Sequence, residues 1–67
     1  MWYVYILRCA DNSLYIGETG DIDSRLLKHD DGTACRFTAS RRPVVLVHSE
    51  KHSTREAALK RERQLKG

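Results

Sequence analysis

The 67-residue sequence has little cysteine, a single proline, no internal repeat and no long apolar run. Each scarcity excludes something. Cys9 and Cys35 are the only cysteines, with no Cys-x-x-Cys and no Cys/His pair at zinc-finger spacing, which excludes a structural zinc module. Small secreted domains usually carry several bridges, so two free thiols in a reducing cytoplasm are expected rather than one disulfide. No apolar stretch approaches the roughly 18 residues of a membrane span, and no basic n-region precedes the first strand. Neither a membrane helix nor a signal peptide is expected. Without low-complexity tracts or a linker, residues 1–67 read as one soluble cytoplasmic domain and a monomer. That length is near the size at which a single core only just suffices.

What is present is charge and pattern. Charged residues make up 31% of the chain, the formal net charge is +3, and the pI is near 9.1. Arg36, Arg41 and Arg42 cluster mid-chain, while Arg55, Lys60, Arg61, Arg63 and Lys66 crowd the C-terminal segment. This distribution suits a polyanionic partner.

The most patterned stretch comes first. Residues 2–9 (WYVYILRC) and 13–17 (SLYIG) are β-rich runs separated by Ala10-Asp11-Asn12, which predicts a hairpin. Alternation puts Tyr3, Tyr5, Leu7 and Cys9 on one side of the first strand and Ser13, Tyr15 and Gly17 on one side of the second. Antiparallel pairing would stand Tyr5 and Tyr15 on a common face. Gly17 then removes a side chain where another group must come close or the strand must bend. The plain reading is two aromatics covering a small core.

Glu18-Thr19-Gly20 reads as a link. Asp21 is a good N-cap for a helix with an Ile22, Leu26, Leu27 and Asp30 stripe, closed by Gly32. Arg25 and His29, four apart, project from one face beside that stripe, ordinarily a solvated basic edge. Residues 33–42 read as a loop with Phe37 and Ala34 turned inward, its arginines either contacting phosphate or solubilising the chain. Pro43 opens Val44-Val45-Leu46-Val47-His48, a buried third strand. Ser53 or Thr54 caps a last helix, with Glu56 closing a capping box. On that helix Ala58, Leu59, Glu62 and Leu65 are neighbours, and Lys60, Arg61 and Arg63 point more outward. Glu62 is either an ion-pair partner of Lys66 or Arg55, or a metal ligand facing the sheet. The predicted fold is α+β, a three-stranded antiparallel sheet flanked by helices in the order ββαβα.

Tyr5, Tyr15, Arg25, His29 and Glu62 form a chemically coherent set. A phosphodiester hydrolase needs a group to activate water, a cation for phosphate charge, a metal, and a way to stabilise the leaving oxygen. A phenol whose pKa is lowered by a nearby cation can act as a base. Arg offers phosphate a planar, permanently charged fork. A lone carboxylate suits Mg²⁺, which retains several waters.

Val4-Tyr5 with Tyr15-Ile16-Gly17, the tyrosines ten positions apart, resembles the paired motif of the GIY-YIG nuclease superfamily. Asp21 to His29 resembles the family helix with its Arg and His. Arg42-Pro43-Val44 and Ala57 to Gly67 resemble the third strand and metal-bearing helix. The likeness covers nearly the whole chain and points to the small single-domain bacterial members. Two departures stand out: Tyr3 replaces the first motif's glycine, and the chain ends at Gly67, where such proteins usually run on through a further helical segment, so it is read as either a shortened or a natural minimal form.

The resemblance implies a Mg²⁺- or Mn²⁺-dependent DNA endonuclease holding one ion weakly without substrate, with a place in DNA repair. It gives catalytic roles to Tyr5, Tyr15, Arg25 and His29, a motif role to Gly17 and metal binding to Glu62. Arg36, Arg41, Arg42, Lys60 and Arg63 are the expected nucleic-acid contacts. With no separate domain to read bases, recognition is expected to follow DNA structure rather than sequence. The alternatives are a non-catalytic nucleic-acid-binding module and an adaptor for a larger nuclease.

Overall fold

The computed structural model describes residues 1–67. Trp2–Arg8 forms strand β1 and Leu14–Thr19 forms strand β2. The turn between them is closed locally: Cys9 N–H donates to Ser13 O and Asn12 N–H to Cys9 O, both at 2.9 Å. Asn12 takes the left-handed conformation, φ 68°, which its short polar side chain tolerates. In the β1–β2 ladder Tyr5 faces Gly17 and Leu7 faces Tyr15. The two tyrosines are therefore diagonal neighbours on one face, as the alternation predicts. Glu18 and Thr19 are strand rather than link, because the ladder continues to Val4 and Tyr3.

Strand β3, Val45–His52, pairs antiparallel with the other side of β1, so the sheet order is β2-β1-β3. The expectation of a buried third strand is corrected. This is an edge strand, with Val45, Leu46 and Val47 40–50% exposed. Apolar runs of this length signal a strand but do not say which layer covers it. A register shift between Ile6 and Leu7, whose partners are His48 and Leu46, leaves Val47 as an extra residue. The core belongs instead to the central strand: Val4 and Tyr5 are wholly buried, Leu7 is 1% exposed, and Ala58 joins them from the last helix.

Helix α1 is Ile22–Asp31. Asp21 caps it by accepting from Ser24 N–H, and Gly32 ends it at φ 84°, with its N–H returning to Lys28 and His29 carbonyls. Its inward residue is His29; Leu27, expected in the apolar stripe, is 68% exposed. The segment expected as a plain loop contains a one-turn helix α2, Arg36–Ala39, too short to display a period. Here too the inward residue differs from expectation: Thr38 is buried, whereas Phe37 is exposed and Ala34 only half-buried.

Helix α3, Arg55–Lys66, is capped by Thr54, whose hydroxyl accepts from Ala57 N–H. Glu56 lies in the first turn without the expected bond back to the cap. Val4, Glu18 and Glu50 share one sheet face by register, and α3 is tied to that face by charge. Arg55 approaches Glu18 at 3.7 Å. Arg61 Nε donates to Glu50 at 2.7 Å, and His48 and His52, flanking Glu50 on the same side of β3, add bonds of 2.9 and 3.1 Å. Three donors on one carboxylate, His48 foremost, pull the Glu50 pKa down to about 2.

Two outcomes follow from this packing. A methyl at Gly17 would meet the Tyr5 ring and hydroxyl at 2.5–2.6 Å. Gly17→Ala should therefore cost about 1–3 kcal/mol, read as a lower thermal midpoint; an unchanged midpoint would mean Tyr5 moves aside freely. Glu50, with its folded pKa depressed, stabilises fully above the unfolded carboxylate pKa and loses that contribution as pH falls toward about 2. The gap in melting temperature between wild type and Glu50→Gln should stay constant near neutrality and close across that acid window. A pH-independent gap would contradict this.

Candidate functional site

Strand β1, strand β2 and helix α1 bring Tyr5, Tyr15 and His29 into one cluster. Ring centroids are 6.3 Å apart for the tyrosines, 5.7 Å for Tyr5 and His29, and 5.1 Å for Tyr15 and His29. The Tyr5 hydroxyl and His29 Nε2 are hydrogen-bonded at 2.9 Å, and His29 Nδ1 and the Thr38 hydroxyl at 2.8 Å. Tyr5, His29 and Thr38 are wholly buried, and Tyr15 is half-buried. A neutral imidazole presents one donor and one acceptor, and each hydroxyl can play either part, so the chain of bonds closes on itself.

The electrostatics favour neutral groups. Burial lowers the His29 pKa, and the Arg25 charge lowers it further. Burial raises the pKa of Tyr5, a shift that the nearby Arg25 guanidinium opposes without reversing. Tyr15 is raised as well, by burial and then by Cys35. The expectation of a phenol made basic by a nearby cation is thus reversed, because desolvation outweighs the guanidinium. Arg25 gains from this arrangement: the Tyr5 phenol, ahead of Tyr15, holds its pKa up. Its Nε is buried without a partner, and no carboxylate pairs with it.

The other residues of interest lie outside this cluster. Glu62 is on α3, where Lys66 Nζ holds its Oε2 at 2.9 Å, the ion-pair alternative anticipated for it. No hydrogen bond or ion pair joins Glu62 to Tyr5, Tyr15, Arg25 or His29. Arg41 pairs with Asp11 at 3.1 Å and lies 4.0 Å from the Phe37 ring centroid. Arg42 is spent on backbone, donating to the Ala39 and Asp30 carbonyls. Arg36, Lys60 and Arg63 are exposed and make no ion pair.

Three contributors had gone unnoticed. Thr38 closes the His29 network, Cys35 Sγ lies 3.3 Å from the Thr38 hydroxyl, and Phe37 stands 5.9 Å from Tyr15 between ring centroids. Nothing in the spacing of residues 33–42 marks them. Their positions follow from how α2 folds over α1.

Comparison with known proteins gives a consistent picture. A family model described as the GIY-YIG catalytic domain matches residues 1–67. The chain is 47% identical over 64 residues to a UPF0213 protein of Staphylococcus saprophyticus, covering 96% of this chain and 78% of the relative. It is 44% identical over 64 residues to a UPF0213 protein of Natronomonas pharaonis, covering 96% and 75%. The solution NMR structure of a UPF0213 protein from Bacillus halodurans is 40% identical, with a TM-score of 0.61 over 98% of this chain and 71% of that one. No helix of the protein is long and apolar enough to cross a membrane.

These findings correct the expectation of a DNA endonuclease that hydrolyses phosphodiester bonds. The relatives are UPF0213 proteins, a name that states no activity. No three His, Cys, Asp or Glu side chains form a group that could hold a metal ion.

If the network is structural, breaking it should cost stability. Thr38→Val, nearly the same shape, leaves His29 Nδ1 buried and unpaired. We expect a loss of about 1–3 kcal/mol in urea unfolding; an equally stable variant would mean that the bond contributes nothing net.

Proposed function

Because the chain belongs to the GIY-YIG family, we propose that it is a non-catalytic nucleic-acid-binding module. The observation that carries this reading is the set of cations without carboxylate partners. Eight of the twelve Lys and Arg residues make no ion pair, Arg25, Arg36, Arg42, Lys60 and Arg63 among them, in a chain of net charge +3. Exposed pairs contribute little, and free guanidinium and ammonium groups are what a phosphate backbone recruits, releasing its counterions. Arg36, Lys60 and Arg63 are the foremost contacts. Arg42, though its donors meet carbonyls, keeps its charge and adds to the field. The hairpin cluster then serves to hold α1 and α2 against the sheet. Recognition is by charge and shape, since no element stands apart to enter a groove and read base edges.

Fluorescence anisotropy with a labelled duplex tests this. If about three phosphates are neutralised, raising salt from about 50 to 200 mM should weaken binding roughly 40-fold. Replacing Arg36, Lys60 and Arg63 together with Ala should flatten that dependence, and the DNA should be recovered intact with Mg²⁺ present. Salt-insensitive or absent binding sinks the module. Metal-dependent cutting abolished by Glu62→Ala sinks its non-catalytic character.

A further inference from the structure

An open groove of about 430 Å³ lies where β2, α2 and the end of α3 meet, lined by Leu14, Tyr15, Ile16, Phe37, Leu65 and Lys66. Leu14 is 57% and Phe37 37% exposed, so apolar surface faces solvent here. Two features restrict what fits. First, Tyr15 and Phe37 form a tilted aromatic wall, centroids 5.9 Å apart and planes at 33°. Second, the groove is bordered by positive charge. Lys66 lines it with 55% of its side chain exposed. Arg36 precedes Phe37 and pairs with no acid, and Arg41 packs its guanidinium on the Phe37 ring. Asp11 and Glu62 hold Arg41 and Lys66 in place and cancel part of their charge, whereas Arg36 is exposed and uncompensated. A purely apolar occupant would leave that charge unmatched, and a bare phosphate would leave the aromatic wall in water. A flat apolar ring carried on an anionic chain satisfies both.

We propose that this groove takes an unpaired nucleobase of a single-stranded nucleic acid, packed against Tyr15 and Phe37, with the adjoining phosphates facing Arg36 and Lys66. The proposal rests on the nucleic-acid-binding reading and makes it specific: single strands are favoured over duplexes, whose bases stay in their stack. Stacking on aromatic side chains tolerates any base, so little sequence preference is expected.

The test compares three labelled ligands of equal length by anisotropy: an oligothymidine, an abasic strand and a duplex. The unaltered protein should bind the oligothymidine about tenfold more tightly than the abasic strand. Phe37→Ala should remove that advantage and leave duplex affinity unchanged, with a thermal melt confirming that the variant is folded. The abasic comparison needs no variant, so a misfolded Phe37→Ala would not rescue the idea. Equal affinity for thymidine and abasic strands, with salt-sensitive duplex binding intact, overturns the groove and leaves the binding module standing. Binding to none of the three overturns both. A dimer in light scattering that Phe37→Ala dissociates would give the groove to a second copy of the chain and overturn the proposal as well.

Discussion

The contact on which this structure depends is the hydrogen bond between the Tyr5 hydroxyl and His29 Nε2. It joins the central strand to helix α1 in a wholly buried place, where an unsatisfied phenol or imidazole would be costly. Gly17 makes it sterically feasible, since any side chain there would occupy the space of the Tyr5 ring. Thr38 completes it by satisfying the other ring nitrogen, which fixes α2 against α1. A strand, a helix and a short turn of helix are thereby tied by three polar side chains.

That internal satisfaction has a functional side. The same residue types could serve phosphodiester chemistry if a phenol were exposed and its pKa depressed. Burial raises the pKa of both tyrosines and lowers that of His29. What remains available to a partner is the charge around the cluster, together with the aromatic edge where Phe37 and Tyr15 reach solvent. The opposite face of the sheet is organised separately, by Glu50 gathering His48, His52 and Arg61 and binding α3 to β3.

The comparison between pattern and structure is instructive at particular residues. The hairpin, the Tyr5/Tyr15 face, the Asp21 cap and the Gly32 terminus could be read directly, because each is a local preference of a few adjacent residues. Val44 to His48 was misread as buried because an apolar run reports β propensity and not the layer above it. The burial of His29 was not legible, because helical periodicity ranks it polar, whereas two hydroxyls distant in sequence decide it. Thr38 carried no usable signal, since a single helical turn has no period to detect, and Phe37 was misread as turned inward.

The sequence by itself determined the α+β class, the antiparallel hairpin, the helix ends and the family, through backbone preferences and motif spacing that act over short range. Only the tertiary structure decided which polar groups are consumed internally and which charges stay free. Burial and pairing depend on what arrives from elsewhere in the chain: Thr38 at His29, Lys66 at Glu62, Arg61 at Glu50. Desolvation decides how such groups titrate, and desolvation is a property of packed layers rather than of residue order.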